Sequence, residues 1–133
     1  MHYWLMKSEP FEWSWDQQVK SKTAPWTGVR NYQARNFMKD MKKGDLSFFY
    51  HSSKGLEIVG IVEIVREHYP DPEDTRFVLV DVKAKTAFKK PVPLADLKAH
   101  KGLQDMKLIR QPRLSVMPVS KKEWDVICKM GGV

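Results

Sequence analysis

Apolar runs and alternating apolar and polar positions predict the strands of this chain. The first apolar run, residues 2–7, is soon followed by Pro10, which lacks a backbone donor and ends the strand. Within residues 76–88, an apolar set alternates with a charged set, which is the pattern of a strand with one buried face. The apolar set is Val78, Val80, Val82 and Ala84, and the charged set is Asp81, Lys83 and Lys85. Residues 23–29 contain a proline and a glycine and are predicted to form a loop that carries Trp26. Strands are expected at residues 2–7, 45–51, 56–67, 76–88, 106–109 and 113–117.

Capping residues and helical periodicity predict four helices. The pairs Ser14 with Gln17 and Ser120 with Glu123 have the spacing of a capping box, in which two side chains satisfy the first free amides of a helix. After Asn31, apolar residues recur at helical spacing, and a glycine stands where a helix end is expected. Helices are therefore predicted at residues 15–20, from Asn31 to a cap at Gly44, at residues 94–100, and from Ser120 with Gly131 beyond its end.

Length and composition favour one globular domain spanning residues 1–133. With 42% hydrophobic and 29% charged residues, a chain of this size can bury a sufficient core without disulfides or structural metals. The single cysteine cannot form an internal disulfide, and no apolar run has the length of a membrane span or the form of a signal peptide. We therefore expect a soluble cytoplasmic protein, or a nuclear one if the source is eukaryotic, without membrane contact.

The charge is unevenly distributed along the chain. The net charge of +7 comes from residues 1–50, with 8 basic and 5 acidic groups, and from residues 101–133, with 7 and 3. If these two segments meet in the fold, they form a basic face that suits a polyanion such as nucleic acid. The same charge is also compatible with ordinary solubility.

Tryptophan is concentrated at the start of the chain. Four of the five tryptophans lie within the first 26 residues, which exceeds what a small core needs and suggests an aromatic surface for a planar ligand. Trp4 and Trp124 occupy inner positions of predicted elements and are expected in the core. Trp26 lies on a predicted loop, just before a basic segment, and is expected to contact a ligand.

Several kinds of chemistry lack their sequence signals. The four histidines and Cys128 do not have the spacing of a metal site, and the glycines form no phosphate-binding loop, so no metal or cofactor is expected. Cys128 is predicted to be a small buried hydrophobe rather than a nucleophile. Lys7, Ser8 and Glu9 form the one candidate for proton transfer, and the alternative is a salt-bridged turn.

Four blocks of the sequence together resemble the EVE domain, a branch of the PUA-like superfamily. The blocks run in family order through nearly the whole chain. They are Tyr3-Trp4-Leu5-Met6-Lys7-Ser8-Glu9-Pro10, Trp26-Thr27-Gly28-Val29-Arg30-Asn31-Tyr32-Gln33-Ala34-Arg35-Asn36, Phe48-Phe49-Tyr50-His51-Ser52 and Arg113-Leu114-Ser115-Val116.

This resemblance implies a fold and a function. The implied fold is α+β, a PUA-like small mixed β-barrel of about five to six strands with short helices around it. The family is regarded as a reader of modified bases, similar to the YTH domain, which holds a methylated base in an aromatic-lined pocket. The implied partner is DNA or RNA carrying such a base. Carried over by position, the nucleobase pocket would comprise Lys7, Ser8, Trp26, Gly28, Val29, Arg30, Asn31, Tyr50, His51, Ser52, Arg113, Leu114 and Ser115.

Physical roles can be assigned to this set. An extruded base needs an aromatic face such as Trp26 to replace its lost stacking. Backbone amides after it and serine hydroxyls can supply hydrogen bonds to the base edge. Cationic side chains would contact phosphates, which positions the strand without reading its sequence, and these are Lys7, Arg30, Arg35 and Arg113.

Structural roles remain open for several of these residues. Arg30 can instead tie its loop to a carboxylate, Asn31 can be the N-cap of its helix, and Tyr50 and His51 can simply finish a strand. Two other functions also remain open. One is RNA binding without selectivity for a modification, and the other is hydrolysis of amides in modified nucleosides by Lys7, Ser8 and Glu9, which their contiguity in the chain disfavours.

Overall fold

The computed structural model describes residues 1–133 and contains one mixed six-stranded sheet surrounded by short helices. The strands are β1 (Tyr3–Ser8), β2 (Thr23–Pro25), β3 (Leu46–His51), β4 (Glu57–Pro70), β5 (Val78–Pro93) and β6 (Val116–Val119). The helices are α1 (Trp15–Ser21), α2 (Tyr32–Asp40), α3 (Leu94–Ala99), α4 (Lys107–Arg110) and α5 (Lys121–Gly131), with a 3-10 helix at Lys101–Leu103.

The sheet has the strand order β2-β5-β4-β3-β1-β6 and is open, because its two edge strands do not pair with each other. Register shifts between β4 and β5 interrupt the ladder, and such bulges bend a sheet toward a barrel. The predicted fold class, a small mixed barrel of five to six strands with short helices, is confirmed. Only β1 and β3 pair in parallel, so they end side by side, with Ser8 next to His51 at the same end of the sheet.

The helix starts agree with the capping signals. Both capping boxes are formed, with Ser14 capping α1 and Ser120 capping α5. Asn31 caps α2, where its side-chain oxygen accepts a hydrogen bond from the backbone amide of Ala34. The predicted cap at Gly44 is wrong, because α2 already ends with Met41 as its C-cap.

The early end of α2 has a local cause. The carboxylate of Asp45 accepts a hydrogen bond from the backbone amide of Lys42, which turns the chain directly after the helix. Gly44 lies within this turn at φ +95, a conformation that favours glycine.

Two of the predicted strands are corrected by the structure. Residues 106–109 were predicted as a strand, but the carbonyl of Met106 accepts hydrogen bonds from the amides of Ile109 and Arg110, and α4 forms instead. The strand predicted at 113–117 begins later in the sequence, as β6 at Val116–Val119. Pro118 lies inside β6 opposite Trp4, which is tolerated because β6 is an edge strand whose outer side needs no donor.

Two boundaries on the other side of the sheet also differ from prediction. Part of the predicted loop at 23–29 pairs with β5 as β2, with Ala24 opposite Val82. The strand predicted at 76–88 continues as β5 to Pro93, whose register partner is Glu57. At this end β5 has a neighbour on one side only, β4. A proline, which has no backbone N–H to donate, is tolerated on the side without a neighbour.

A continuous hydrophobic cluster of 32 buried residues lies against the sheet and extends from Trp4 to Ile127. Trp4 and Trp124 are both in it, as predicted. The indole of Trp4 donates to the carboxylate of the buried Asp45. Cys128 is half-buried at the edge of this cluster, and burial raises the pKa of its thiol to about 11, which keeps the unreactive protonated form.

Gly60 determines how α1 sits on the sheet. The buried ring of Trp15, the first residue of α1, lies so close to Gly60 that a Cβ atom there would be 2.5 Å from the ring. The same ring packs against Phe49. The absence of a side chain on β4 therefore allows α1 to approach the sheet.

None of the helices is both long and apolar enough to cross a lipid bilayer.

Candidate binding cavity

A cavity of about 600 Å³ opens at the end of the sheet where β1 and β3 finish. It is called the main cavity below. Its walls come from four separated parts of the chain. They are residues 7–9 with Glu12 and Trp13, residues 24–29, Ser52, and Pro112, Arg113 and Ser115.

The end of β1 forms one wall. The backbone amide of Lys7 donates to the carbonyl of Ser115, and the carbonyl of Ser8 accepts from the amide of Ser52, which joins three cavity segments. The Lys7 ammonium donates to the carbonyl of Pro112 over 2.8 Å. Lys7 is half-buried, and this burial lowers its pKa below the ordinary lysine value because the charged form loses hydration.

The turn after β1 holds Trp13. The carbonyl of Glu9 accepts hydrogen bonds from the backbone amides of Glu12 and Trp13, and the Ser8 hydroxyl donates to the carbonyl of Trp13. The indole N–H of Trp13 donates to the side chain of Gln18 over 2.8 Å. Because Gln18 is buried on α1, it fixes the orientation of the partly buried Trp13 ring at the cavity.

The opposite wall is the segment that follows β2. The amide of Trp26 donates to the carbonyl of Val80, which continues the contact with β5 beyond β2. The Trp26 side chain is only 5% exposed and packs against Phe49. Gly28 then turns the chain at φ +82, a conformation that is strained for residues with a side chain.

The main cavity contains charges of both signs. Lys7 and Arg113 bring the positive charges, from the first and last segments of the chain, which the sequence identified as basic. Glu9 and Glu12 bring two carboxylates, and Ser52 and Ser115 add short polar side chains. Donors and acceptors beside aromatic rings suit a planar, polar molecule better than a bare polyanion.

Eight of the thirteen predicted nucleobase-binding residues line the main cavity. They are Lys7, Ser8, Trp26, Gly28, Val29, Ser52, Arg113 and Ser115. A second cavity of about 380 Å³, called the amide groove below, is lined by Asn31, Gln33, Gln111, Pro112, Arg113 and Leu114. Two further predicted residues, Asn31 and Leu114, therefore lie in the amide groove, which shares Pro112 and Arg113 with the main cavity.

Arg30 lines neither of these two cavities, although Gly28 and Val29 before it line the main one. Its guanidinium forms an ion pair with the buried Asp71 at 3.0 Å and a longer one with the exposed Glu73 at 3.5 Å. Arg30 thus ties its loop to the turn between β4 and β5, the structural role that the sequence left open.

Tyr50 and His51 also line neither of the two cavities. Tyr50 is 2% exposed, and burial raises its pKa to about 12. The Lys7 ammonium lies 5.8 Å from the centre of its ring, a cation–π arrangement. The imidazole of His51 accepts a hydrogen bond from the backbone amide of Trp15, and burial lowers its pKa, so the neutral ring satisfies an amide in the first turn of α1.

Arg35, a predicted phosphate contact, contacts residues outside the two cavities. Its guanidinium donates to the side chain of Asn36 and to the carbonyl of Arg76, and lies 4.8 Å from the ring centre of Tyr32. It lines neither the main cavity nor the amide groove.

Trp13 is the principal cavity residue that the sequence prediction omitted. It belongs to the early tryptophan cluster and lies between a proline and a capping box, where a turn is expected. The same reasoning that selected Trp26 would have selected it. The other omitted cavity residues are Glu9, considered only for proton transfer, with Glu12, Ala24, Pro25, Thr27 and Pro112.

The proton-transfer candidates do not form a catalytic arrangement with one another. Lys7 and Ser8 each donate a side-chain hydrogen bond to a backbone carbonyl, while the carboxylate of Glu9 accepts from Ser53. No group of three or more histidine, cysteine, aspartate or glutamate side chains is arranged to hold a metal ion.

Comparisons of the sequence place the chain among characterised relatives. The family model described as EVE domain matches residues 2–130. Thymocyte nuclear protein 1 of Mus musculus is 39% identical, with the match covering 97% of this chain and 73% of the mouse protein. The Homo sapiens protein of the same name is 37% identical, covering 96% and 73% respectively.

Solved structures have the same architecture. Protein Atu2648 of Agrobacterium tumefaciens superposes with a TM-score of 0.97 at 48% identity, covering 100% of this chain and 94% of that protein. Human THYN1 protein, crystallised in complex with 5-methylcytosine containing DNA, gives 0.91 at 34% identity, covering 100% and 99%. An ASCH protein of Zymomonas mobilis gives 0.61 at 9% identity, covering 97% and 95%, which shows a shared fold alone.

Proposed function

The chain belongs to the EVE domain family, and we propose that it binds a modified nucleobase of a nucleic acid in the main cavity. The observation that carries this proposal is the main cavity itself, which places two tryptophans beside hydrogen-bonding groups of both kinds. The related human protein was crystallised with 5-methylcytosine containing DNA, and its fold covers this whole chain. We also propose that residues 1–133 form a single EVE domain, supported by the continuous core cluster.

The dimensions of the cavity suit a nucleobase. Its volume of about 600 Å³ lies within the usual range for small-molecule sites, roughly 300–1,000 Å³. A base that leaves its stack loses stacking energy, which the partly exposed ring of Trp13 can replace, while Trp26, only 5% exposed, contributes an apolar part of the same wall. The carboxylates of Glu9 and Glu12 can accept from an exocyclic amino group, and Lys7 can donate to a carbonyl oxygen of the base.

Binding is favoured over hydrolysis by the contacts of the three candidate catalytic groups. A nucleophile needs a neighbouring base that accepts its proton, but the Ser8 hydroxyl donates to a backbone carbonyl. Lys7 likewise donates to the carbonyl of Pro112. We therefore propose a binding module without catalytic activity, and incubation with a panel of acylated cytidines tests this directly, since turnover of any of them would contradict it.

Selectivity for a base is favoured over unselective RNA binding by the balance of charge. Two carboxylates accompany the two cations of the main cavity, so attraction to phosphate does not dominate there. Most of the affinity must then come from stacking and hydrogen bonds to the base. Unselective binding would instead depend mainly on phosphate contacts and fall steeply with salt.

Fluorescence titration of the intrinsic tryptophans tests the proposal, because two of the five line the main cavity. Short DNA and RNA strands, each with one modified or unmodified base, are added at physiological salt. We expect saturable quenching that is strongest for one modified base. A strand with an abasic site at the same position is the matched control, since it keeps the phosphates and lacks the base. Equal quenching by all strands, including the abasic one, would reject the proposal.

A further inference from the structure

We propose that the amide groove is a second subsite, which holds the nucleotide next to the one whose base occupies the main cavity. This inference rests on the proposed function of the main cavity and extends it from one nucleotide to two. The groove is smaller, about 380 Å³, and its chemistry differs from that of the main cavity because it contains no carboxylate.

The two cavities share part of their walls. Pro112 and Arg113 line both, so the cavities are neighbours on the surface, and adjacent nucleotides of one strand can occupy them. The carbonyl of Pro112 accepts from the Lys7 ammonium, which fixes this shared wall to β1. The position of the wall is therefore set by the same strand that shapes the main cavity.

Arg113 is free to contact the phosphate that joins the two nucleotides. Its side chain is exposed, forms no ion pair and makes no hydrogen bond within the chain. Arg30, by comparison, is engaged by two carboxylates. An uncommitted guanidinium between two cavities suits a phosphodiester, because its planar donors match phosphate oxygens.

The glutamines distinguish the amide groove from the rest of the surface. The chain has five, and the side chains of Gln17, Gln18 and Gln104 are hydrogen-bonded within the protein. The two that make no such bond, Gln33 and Gln111, both line the groove. A free carboxamide presents donors and an acceptor together, the combination that pairs with the edge of a base.

The remaining lining completes a site for a base rather than for a free phosphate. Leu114 is 4% exposed and contributes the apolar part of the groove. The side-chain oxygen of Asn31 is occupied as the cap of α2, which leaves its amide N–H groups as donors. Arg113 is the single cation, so phosphate binding alone would leave the two glutamines without a role.

A comparison of one-nucleotide and two-nucleotide ligands tests the inference. The probes are 5-methyl-2′-deoxycytidine monophosphate and two dinucleotides, with 5-methylcytosine first or second. Because the groove lies on one side of the main cavity, we expect only one of the two dinucleotides to bind about tenfold more tightly than the monophosphate. That gain corresponds to the two or so net hydrogen bonds that the glutamines can provide.

The double variant Gln33→Ala/Gln111→Ala should remove this gain and leave binding of the monophosphate unchanged. Neither side chain makes a bond within the protein, so the fold should be retained, and circular dichroism checks it. Gln104→Ala is the control for location, since it removes the same side chain away from both cavities, and circular dichroism checks that the loss of its bonds to the carbonyls of Lys98 and His100 leaves the fold intact. An unchanged gain in the double variant, or equal affinity of wild type for all three probes, would overturn the inference. If wild type binds none of the probes, the main cavity does not hold 5-methylcytosine, which would count against the proposed function as well as against the subsite that rests on it.

Discussion

The ring of Trp26 packs edge to face against the ring of Phe49, with centroids 5.3 Å apart and planes at 84°. Phe49 makes a similar edge-to-face contact with the buried ring of Trp15. Trp26 is therefore both a wall of the main cavity and part of the hydrophobic core, with 5% of its surface exposed. Its replacement should affect stability as well as binding.

We expect Trp26→Ala to lower the free energy of unfolding by about 3–5 kcal/mol, as is usual when a buried aromatic residue is truncated. Trp26→Phe keeps a ring against Phe49 and should lose much less. Urea denaturation followed by circular dichroism measures both variants. An unfolding free energy of Trp26→Ala within 1 kcal/mol of wild type would show that the contact with Phe49 does not anchor this residue.

Trp13→Ala should affect binding more than stability, because Trp13 is only partly buried, at the edge of the core, and its indole N–H donates to Gln18. Loss of base stacking should weaken binding of a single-stranded ligand by about 1–3 kcal/mol, roughly 5- to 150-fold in Kd. Isothermal titration calorimetry measures this change. Trp13→Phe should restore part of the affinity, and a wild-type Kd for Trp13→Ala would exclude stacking on this ring.

Arg113 and Arg30 should respond differently to salt. In Arg113→Ala, the slope of log K against log salt concentration should fall in magnitude by about one, because one phosphate contact is lost. Arg30→Ala should leave that slope unchanged, since Arg30 is paired with Asp71 and Glu73. Titrations at several salt concentrations give both slopes. A smaller slope in Arg30→Ala with an unchanged one in Arg113→Ala would reverse the assignment.

His51 should make the fold sensitive to acid. Burial lowers the pKa of its imidazole below the ordinary value of 6.5, so the unfolded chain takes up this proton before the folded protein does. The contribution of His51 to stability is therefore complete above pH 6.5 and is lost as pH falls from there toward the folded pKa. Protonation also removes the acceptor for the amide of Trp15.

Urea denaturation at a series of pH values measures this dependence. In His51→Gln, which cannot titrate, the decrease in unfolding free energy below pH 6.5 should be smaller than in wild type. The remaining histidines stay in place and serve as the internal control. An identical pH dependence in wild type and variant would assign the acid sensitivity to other groups.

Much of the fold follows from local sequence signals, but tertiary contacts decide the exceptions. The capping boxes at Ser14 and Ser120 start their helices as predicted, because cap and partner lie within one turn. β5 runs on to Pro93, and Pro118 lies inside β6. Prolines are tolerated there because one side of each strand has no neighbour, and the sequence alone does not show which sides these are. Met106 is the N-cap of a helical turn, although its short apolar segment was predicted as a strand.

The sequence likewise indicates which segments form the candidate site, but not which of their side chains enter it. Its segments were found by family resemblance, but individual side chains within a segment face different neighbours. Gly28 and Val29 line the main cavity, whereas Arg30 is directed to Asp71, 41 positions along the chain. A pairing over that distance leaves no local pattern. Trp13 lies in a turn that the sequence does indicate, but outside the four blocks that resemble the family.

The glycine at position 60 links the packing of the core to the shape of the main cavity. Any larger residue there would push Trp15 outward, and overpacking of this kind costs about 1–3 kcal/mol, which a typical domain can tolerate. The helix that carries Trp15 also carries Gln18, which orients Trp13 at the cavity. A substitution at position 60 should therefore appear in a genetic screen as a loss of ligand recognition in a folded protein, although no atom of that residue lines the main cavity.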